Sequence, residues 1–190
     1  DFSDRSYDWH RRDALASERL SSSPYVVDIF AFCQNTAMFE YGAGGDIGER
    51  LWPYGEEVGQ HIIANLSSWE KLEMAYQVAC GIADIHDADE GTASIAHTNI
   101  KPSQFISVDG KWKVNNFNRC RFFGEYKEDK SGCGLEVGSN LGIFRATEEY
   151  AHEIETEKID VYSMGNVFYA ILSGAMPFEG IKTNTAQELV

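Results

Sequence analysis

Residues 159–172 constrain the fold of this chain more than any other stretch. Ile159, Val161, Met164, Val167, Phe168, Ile171 and Leu172 fall on nearly every side of a helix, which predicts a helix over Asp160–Leu172 buried at the centre of its part of the molecule. Such a helix needs others packed around it. One is predicted over Ser68–His86: Ser67-x-x-Glu70 is a capping box, and Leu72, Ala75, Tyr76, Ala79, Ile82, Ala83 and Ile85 follow near helical spacing. Another runs from Asp8 to Leu20 and is stopped by Ser21-Ser22-Ser23-Pro24. Strands are fewer. Tyr25–Phe32 and Ala37–Tyr41 read as a pair turned at Gln34-Asn35, and Phe105–Val108 and Trp112–Val114 as a hairpin turned at Asp109-Gly110. The run Arg119–Arg145 has no clear period and is too long for a passive connection. An α+β fold in which helices predominate follows.

Charge and cysteine usage narrow the function classes. Against 16 Lys and Arg stand 30 Asp and Glu, a formal charge of −14, which repels a phosphate backbone and offers no basic patch to anionic lipid. Nucleic acid and membrane surfaces are excluded as partners on that ground. Cys33, Cys80, Cys120 and Cys133 form no CxxC pair, and free thiols in a reducing, cytoplasmic setting are the expectation. No apolar run within the chain approaches the roughly 18 residues of a membrane-spanning helix. His61 and His86 each stand alone and read as packed or surface histidines. The acidic group Glu148, Glu149, Glu153, Glu155 and Glu157 reads as helix starts and solvated faces.

His97-Thr98-Asn99-Ile100-Lys101-Pro102-Ser103-Gln104 resembles the catalytic loop of eukaryotic protein kinases, H-R-D-L-K-P-x-N. Asn116-Phe117-Asn118 stands where that family has D-F-G, Ala146-Thr147-Glu148 where it has A-P-E, and Asp160-Val161-Tyr162-Ser163-Met164-Gly165 where it has D-V-Y-S-F-G. Gly81-Ile82-Ala83-Asp84-Ile85-His86 matches a further helical segment, G-L-x-x-L-H. Four motifs in order and at kinase-like spacing identify the chain as similar to a partial protein kinase domain over residues 1–190. The resemblance implies that residues 1–41 are the remainder of the small lobe with the start of the hinge, and that 42–190 are the large lobe. The glycine-rich loop and the strand bearing the ATP-anchoring lysine find no counterpart in the sequence, nor do the last helices of the large lobe.

The same resemblance assigns roles. Phosphoryl transfer needs one carboxylate beside the attacking hydroxyl and another on the magnesium that bridges the phosphates. Asn99 occupies the first position and Asn116 the second, so neither can supply negative charge, and Mg2+ binding is expected to weaken sharply. Gln104 replaces the asparagine that holds a second metal, while Lys101 retains the charge that stabilises the transferring group. Thr98 replaces the arginine that pairs with an activation-loop phosphate in many members. Phe39 would be the gatekeeper, the backbone at Glu40 and Gly42 would meet an adenine edge, and Ile106 would be its floor, which leaves room for ATP without metal. Asp13 would be the acidic residue of the regulatory helix, with Glu18 as second candidate. His97, Phe117 and Ile29 match the hydrophobic column, Asp160 the aspartate that holds the catalytic-loop backbone, and Glu148 the glutamate of the A-P-E motif.

Three functions remain open on these residues. The first is a pseudokinase that acts by binding a protein partner, with or without nucleotide. The second is a weak Ser/Thr/Tyr protein kinase acting on a protein substrate, with Asn99 orienting the hydroxyl. The third is a truncated, non-functional fragment.

Overall fold

The computed structural model describes residues 4–53, 63–89, 93–123, 142–151 and 153–181. Helix α1 spans Asp4–Arg19, starting a turn earlier than the sequence pattern predicts. Strands β1 (Ile29–Cys33) and β2 (Thr36–Phe39) follow as an antiparallel pair turned at Gln34-Asn35, with Gln34 in the left-handed region at φ 54°. The predicted strand start at Tyr25 is not observed. Instead Val26 makes an isolated parallel bridge to Val114.

A short helix, α2 (Ile47–Leu51), comes next, closed at its start by a capping box between Asp46 and Glu49. Helix α3 spans Ser68–His86 as predicted, with the Ser67/Glu70 capping box formed in both directions. Strand β3 (Ile95–Ala96) leads into the catalytic-loop motif and a single 3-10 turn at Pro102–Gln104. Strands β4 (Phe105–Val108) and β5 (Lys111–Val114) form the predicted hairpin. Asp109 and Gly110 take φ 48° and 79°, the left-handed pair that a two-residue hairpin turn requires. A 3-10 turn at Phe117–Arg119 leads into the stretch expected to be irregular, and within that stretch strand β6 (Arg121–Phe122) forms and pairs with β3. Helix α4 is Thr147–Ala151 and helix α5 Lys158–Ser173. Among the described residues there are three sheets, each two-stranded and antiparallel.

The core gathers α3, α5 and the β4–β5 hairpin around Val78, Ile82, Ile85, Phe105, Val114, Phe117, Val167 and Ile171, all buried. Burial of a set this size supplies most of the stabilisation of the fold. Helix α5 corrects the sequence expectation in part. Ile159, Val167 and Ile171 are buried, but Val161, Tyr162, Tyr169 and Leu172 are exposed, because among the described residues packing reaches only one side of the helix. The acidic group is also not uniformly solvated: Glu149 and Glu155 are buried. No described helix is long and apolar enough to cross a membrane. Cys33, Cys80 and Cys120 are free thiols, and Cys133 and His61 lie outside the described residues.

Candidate functional site

The catalytic-loop motif is pinned from α5. Asp160, 1% exposed in the first turn of that helix, accepts the backbone N–H of His97 at 2.7 Å and of Thr98 at 2.9 Å. His86, at the end of α3, closes on the same carboxylate at 3.2 Å. These bonds hold Thr98 at φ 59°, an unfavourable conformation for a β-branched residue. Thr98 adds its own anchor, its hydroxyl donating to the Arg119 carbonyl at 2.8 Å. His97 is fully buried, with its ring 5.0 Å from that of Phe117, and its Nε2–H donates to the Asn115 carbonyl at 3.0 Å. Burial holds the His97 ring's pKa below the usual histidine value. Ile29 lies apart from these two rings in the sequence and pairs with Phe39 across the β1–β2 ladder.

Asn99 follows the strained threonine and is half-buried. Its side-chain oxygen faces the guanidinium of Arg145, with Nη2 at 3.5 Å, while Nη1 of the same arginine donates to the Thr98 carbonyl at 3.1 Å and to the Glu149 carboxylate. Glu149 in turn accepts the Ala146 N–H at 2.9 Å. Burial raises the Glu149 carboxyl above its usual pKa, and Arg145 offsets only part of that. The buried and paired glutamate of this segment is therefore Glu149, whereas Glu148 is half-buried and receives the Glu153 N–H on its backbone carbonyl.

Asn116 sits at φ 65°, ψ 68°, a left-handed conformation that asparagine adopts more readily than most residues. One residue on, the Phe117 N–H donates to the Asp13 carboxylate at 2.6 Å. That bond ties α1 to the Asn116-Phe117-Asn118 segment, and it is made by Asp13; Glu18 is exposed on α1. Burial raises the Asp13 carboxyl above its usual pKa, with the Phe117 bond opposing. Gln104 is buried, its backbone carbonyl accepting the backbone N–H of Asn115 at 2.9 Å and its side-chain amide at 3.2 Å, while among the described residues its side-chain oxygen has no hydrogen-bond partner.

These donors do not suit Mg2+. The hard cation favours anionic oxygens, and Asn116 and Gln104 present only neutral amides. Among the described residues no group of three or more His, Cys, Asp or Glu could hold a metal ion. Lys101, by contrast, is exposed on the loop.

The segment after β2 runs close over the β4–β5 hairpin. Gly44 donates to Ser107 O at 3.2 Å and Ser107 to Gly45 O at 2.9 Å. A Cβ at Gly42 would come within 2.8 Å of the end of the Ile106 side chain, so the glycine is what allows this approach. Phe39 and Glu40 are half-buried. The Glu40 carboxylate accepts Lys113 Nζ at 2.5 Å and the Asp28 N–H at 2.8 Å, which fixes the exit of β2 onto β5.

Two features here escape sequence reasoning. Arg145 meets Thr98 and Asn99 across 46–47 residues, which no local pattern encodes. Helix α2 is too short for periodicity, though Asp46-x-x-Glu49 is a capping box readable from the sequence alone.

Comparison with known proteins places the chain in a family. The model of the protein kinase domain matches residues 8–190. A putative serine/threonine-protein kinase/receptor of Acanthamoeba polyphaga mimivirus is 35% identical over 58% of the chain and 6% of its own length. A probable LRR receptor-like serine/threonine-protein kinase of Arabidopsis thaliana is 27% identical over 80% of the chain and 16% of its own length. Serine/threonine-protein kinase CHK1 of Mycosarcoma maydis is 27% identical over 92% of the chain and 23% of its own length. The chain thus spans less than a quarter of each of these three proteins.

Proposed function

The chain belongs to the protein kinase family, and on that premise we propose that this domain acts by binding a protein partner and transfers phosphate poorly or not at all. The observation that carries this reading is the pair of amides, Asn99 and Asn116, at the two positions where the reaction requires carboxylates. An amide cannot accept the hydroxyl proton, and the Asn99 oxygen is turned toward the Arg145 guanidinium. Protein kinase domains generally bind ATP and Mg2+. Here the backbone at Glu40 and Gly42, with Phe39 beside them and Ile106 beneath, would receive a nucleotide without metal. We place the lobe boundary at 41/42.

The maintained scaffold supports a binding role over a decayed one. Asp160 retains both of its backbone bonds, and Asp13 ties α1 to Phe117. A second reading, a protein kinase of low activity on Ser or Thr, is favoured by the serine/threonine-protein kinase names of the relatives and by the exposed Lys101. Thermal shift with ATP, with and without Mg2+ or Mn2+, and transfer of labelled phosphate to a mixed basic protein substrate decide between them. The binding reading expects no metal-dependent rise in Tm and no transfer from the native chain. Transfer that is abolished by Lys101→Ala and raised by Asn99→Asp with Asn116→Asp would overturn it.

A further inference from the structure

The turn that leaves α1 holds a serine followed directly by a proline, Ser23-Pro24. Pro24 is exposed, as are Ser21 and Ser22, and Ser23 is half-buried. The Ser23 carbonyl accepts the Val26 N–H at 3.5 Å, which puts Pro24 at the first central position of a tight turn, where its fixed φ is favoured. The Ser23 hydroxyl accepts the Tyr25 N–H at 3.0 Å and donates to the carboxylate of Asp84 on α3. Beside that bond the Tyr25 ring stands edge-on to Tyr76 of α3, with centroids 6.3 Å apart, and the Tyr25 carbonyl accepts the Val114 N–H at 2.8 Å. A single serine hydroxyl therefore joins the exit of α1 to the last turns of α3.

We propose that Ser23 is phosphorylated by a proline-directed protein kinase, and that the phosphate releases this turn from α3. Proline has no N–H and disfavours the helical region for the residue before it, so a Ser-Pro pair presents its hydroxyl on the extended backbone that such an enzyme selects. The modifying enzyme is a second protein supplied with ATP, so the inference is independent of whether this chain transfers phosphate. In the reaction a bond forms between Ser23 Oγ and the γ-phosphorus, and the bond from that phosphorus to the β–γ bridging oxygen breaks. ADP leaves with the electron pair, and the hydroxyl proton passes to a base of the modifying enzyme. The product cannot keep the native contact: the phosphate has no proton to donate to Asp84 and brings a charge of about −2 against that carboxylate. The basic residue nearest in sequence, Arg19, is already paired with Asp89.

The test incubates the purified chain with ATP, Mg2+ and a proline-directed serine/threonine kinase, and locates phosphate by mass spectrometry. A peptide of residues 19–28 is treated in parallel. The chain is expected to gain phosphate at Ser23, with the product lost in Ser23→Ala and kept in Ser22→Ala. In the phosphorylated chain, amide exchange at Tyr25 and Val114 should rise severalfold, because both N–H groups are held through this turn. Its Tm should fall by roughly 3–6 °C. Asp84→Asn removes the facing charge and should at least halve the fall that phosphorylation causes. Phosphate on the peptide but not on Ser23 of the chain, or on neither, overturns the proposal. So does a chain phosphorylated at Ser23 whose exchange and Tm match those of the unmodified protein.

Discussion

The carboxylate of Asp160, in the first turn of α5, accepts the backbone N–H of His97 at 2.7 Å, 63 residues earlier in the chain. Its second oxygen takes the Thr98 N–H at 2.9 Å. Replacing it with alanine leaves two buried N–H groups without partners and frees Thr98 from the contact that offsets its left-handed backbone. Asp160→Ala is expected to destabilise the chain by about 3–4 kcal/mol, read from urea denaturation. Asp160→Asn keeps one acceptor but turns an NH2 toward one of the donors, and loses about 2 kcal/mol. A loss below about 1 kcal/mol for alanine would mean that the loop is held by other contacts.

His97 makes stability depend on pH. Its Nε2–H is spent on the Asn115 carbonyl, and among the described residues the buried Nδ1 has no hydrogen-bond partner. Protonation would place a second N–H where nothing accepts it, so the folded state favours the neutral ring and the folded pKa lies below that of the unfolded chain. A group with a depressed folded pKa contributes stability above its unfolded value, here about 6.5, and that contribution is lost as pH falls toward the folded value. Imidazole resonances of His97 should titrate below 6.5, and urea midpoints should fall between pH 7.5 and 5.5. His97→Phe should remove that part of the slope. A His97 midpoint above 6.5 would contradict the assignment.

The Arg145–Glu149 pair offers a double-mutant test. Both side chains are at least nine-tenths buried, so breaking the pair strands a charge. Arg145→Met alone is expected to cost about 3–5 kcal/mol. Arg145→Met with Glu149→Leu should recover much of this, short of the native value because the bonds to Thr98 and Asn99 are lost in both variants. A coupling energy near zero in the cycle would show that the pair does not form in solution.

How far the sequence reaches can be followed residue by residue. Helix α3 is legible to its ends because the Ser67/Glu70 box marks its start and the apolar period is sustained for five turns. The Asp109-Gly110 turn is legible because few other residues tolerate its backbone. Motif order was enough to name the family, and the α+β architecture follows from that. Long-range pairing was hidden: nothing near Arg145 or Glu149 announces that this pair, rather than Glu148, becomes buried against Asn99. Helix α5 departs from its sequence pattern on one side because composition reports how apolar a helix is and not which of its faces finds a neighbour. Val161, Tyr162, Tyr169 and Leu172 are apolar or aromatic and yet exposed.

Gly81 sits inside α3, where alanine would ordinarily favour the helix by about 1 kcal/mol. Here a Cβ would come within 2.7 Å of Val114 Cγ2 and 3.1 Å of the Tyr25 carbonyl. The valine could shift, but the carbonyl is fixed, since Tyr25 O accepts the Val114 N–H at 2.8 Å. Overpacking of this kind costs about 1–3 kcal/mol, which exceeds the helical gain. Gly81→Ala is therefore expected to lower stability by about 1–2 kcal/mol. Adding Val114→Ala should make the glycine substitution less harmful than it is in the native background, because half of the clash is removed. If Gly81→Ala instead raises Tm, α3 does not approach β5 as closely as the contact requires, and the bridge from Val26 to Val114 loses its support.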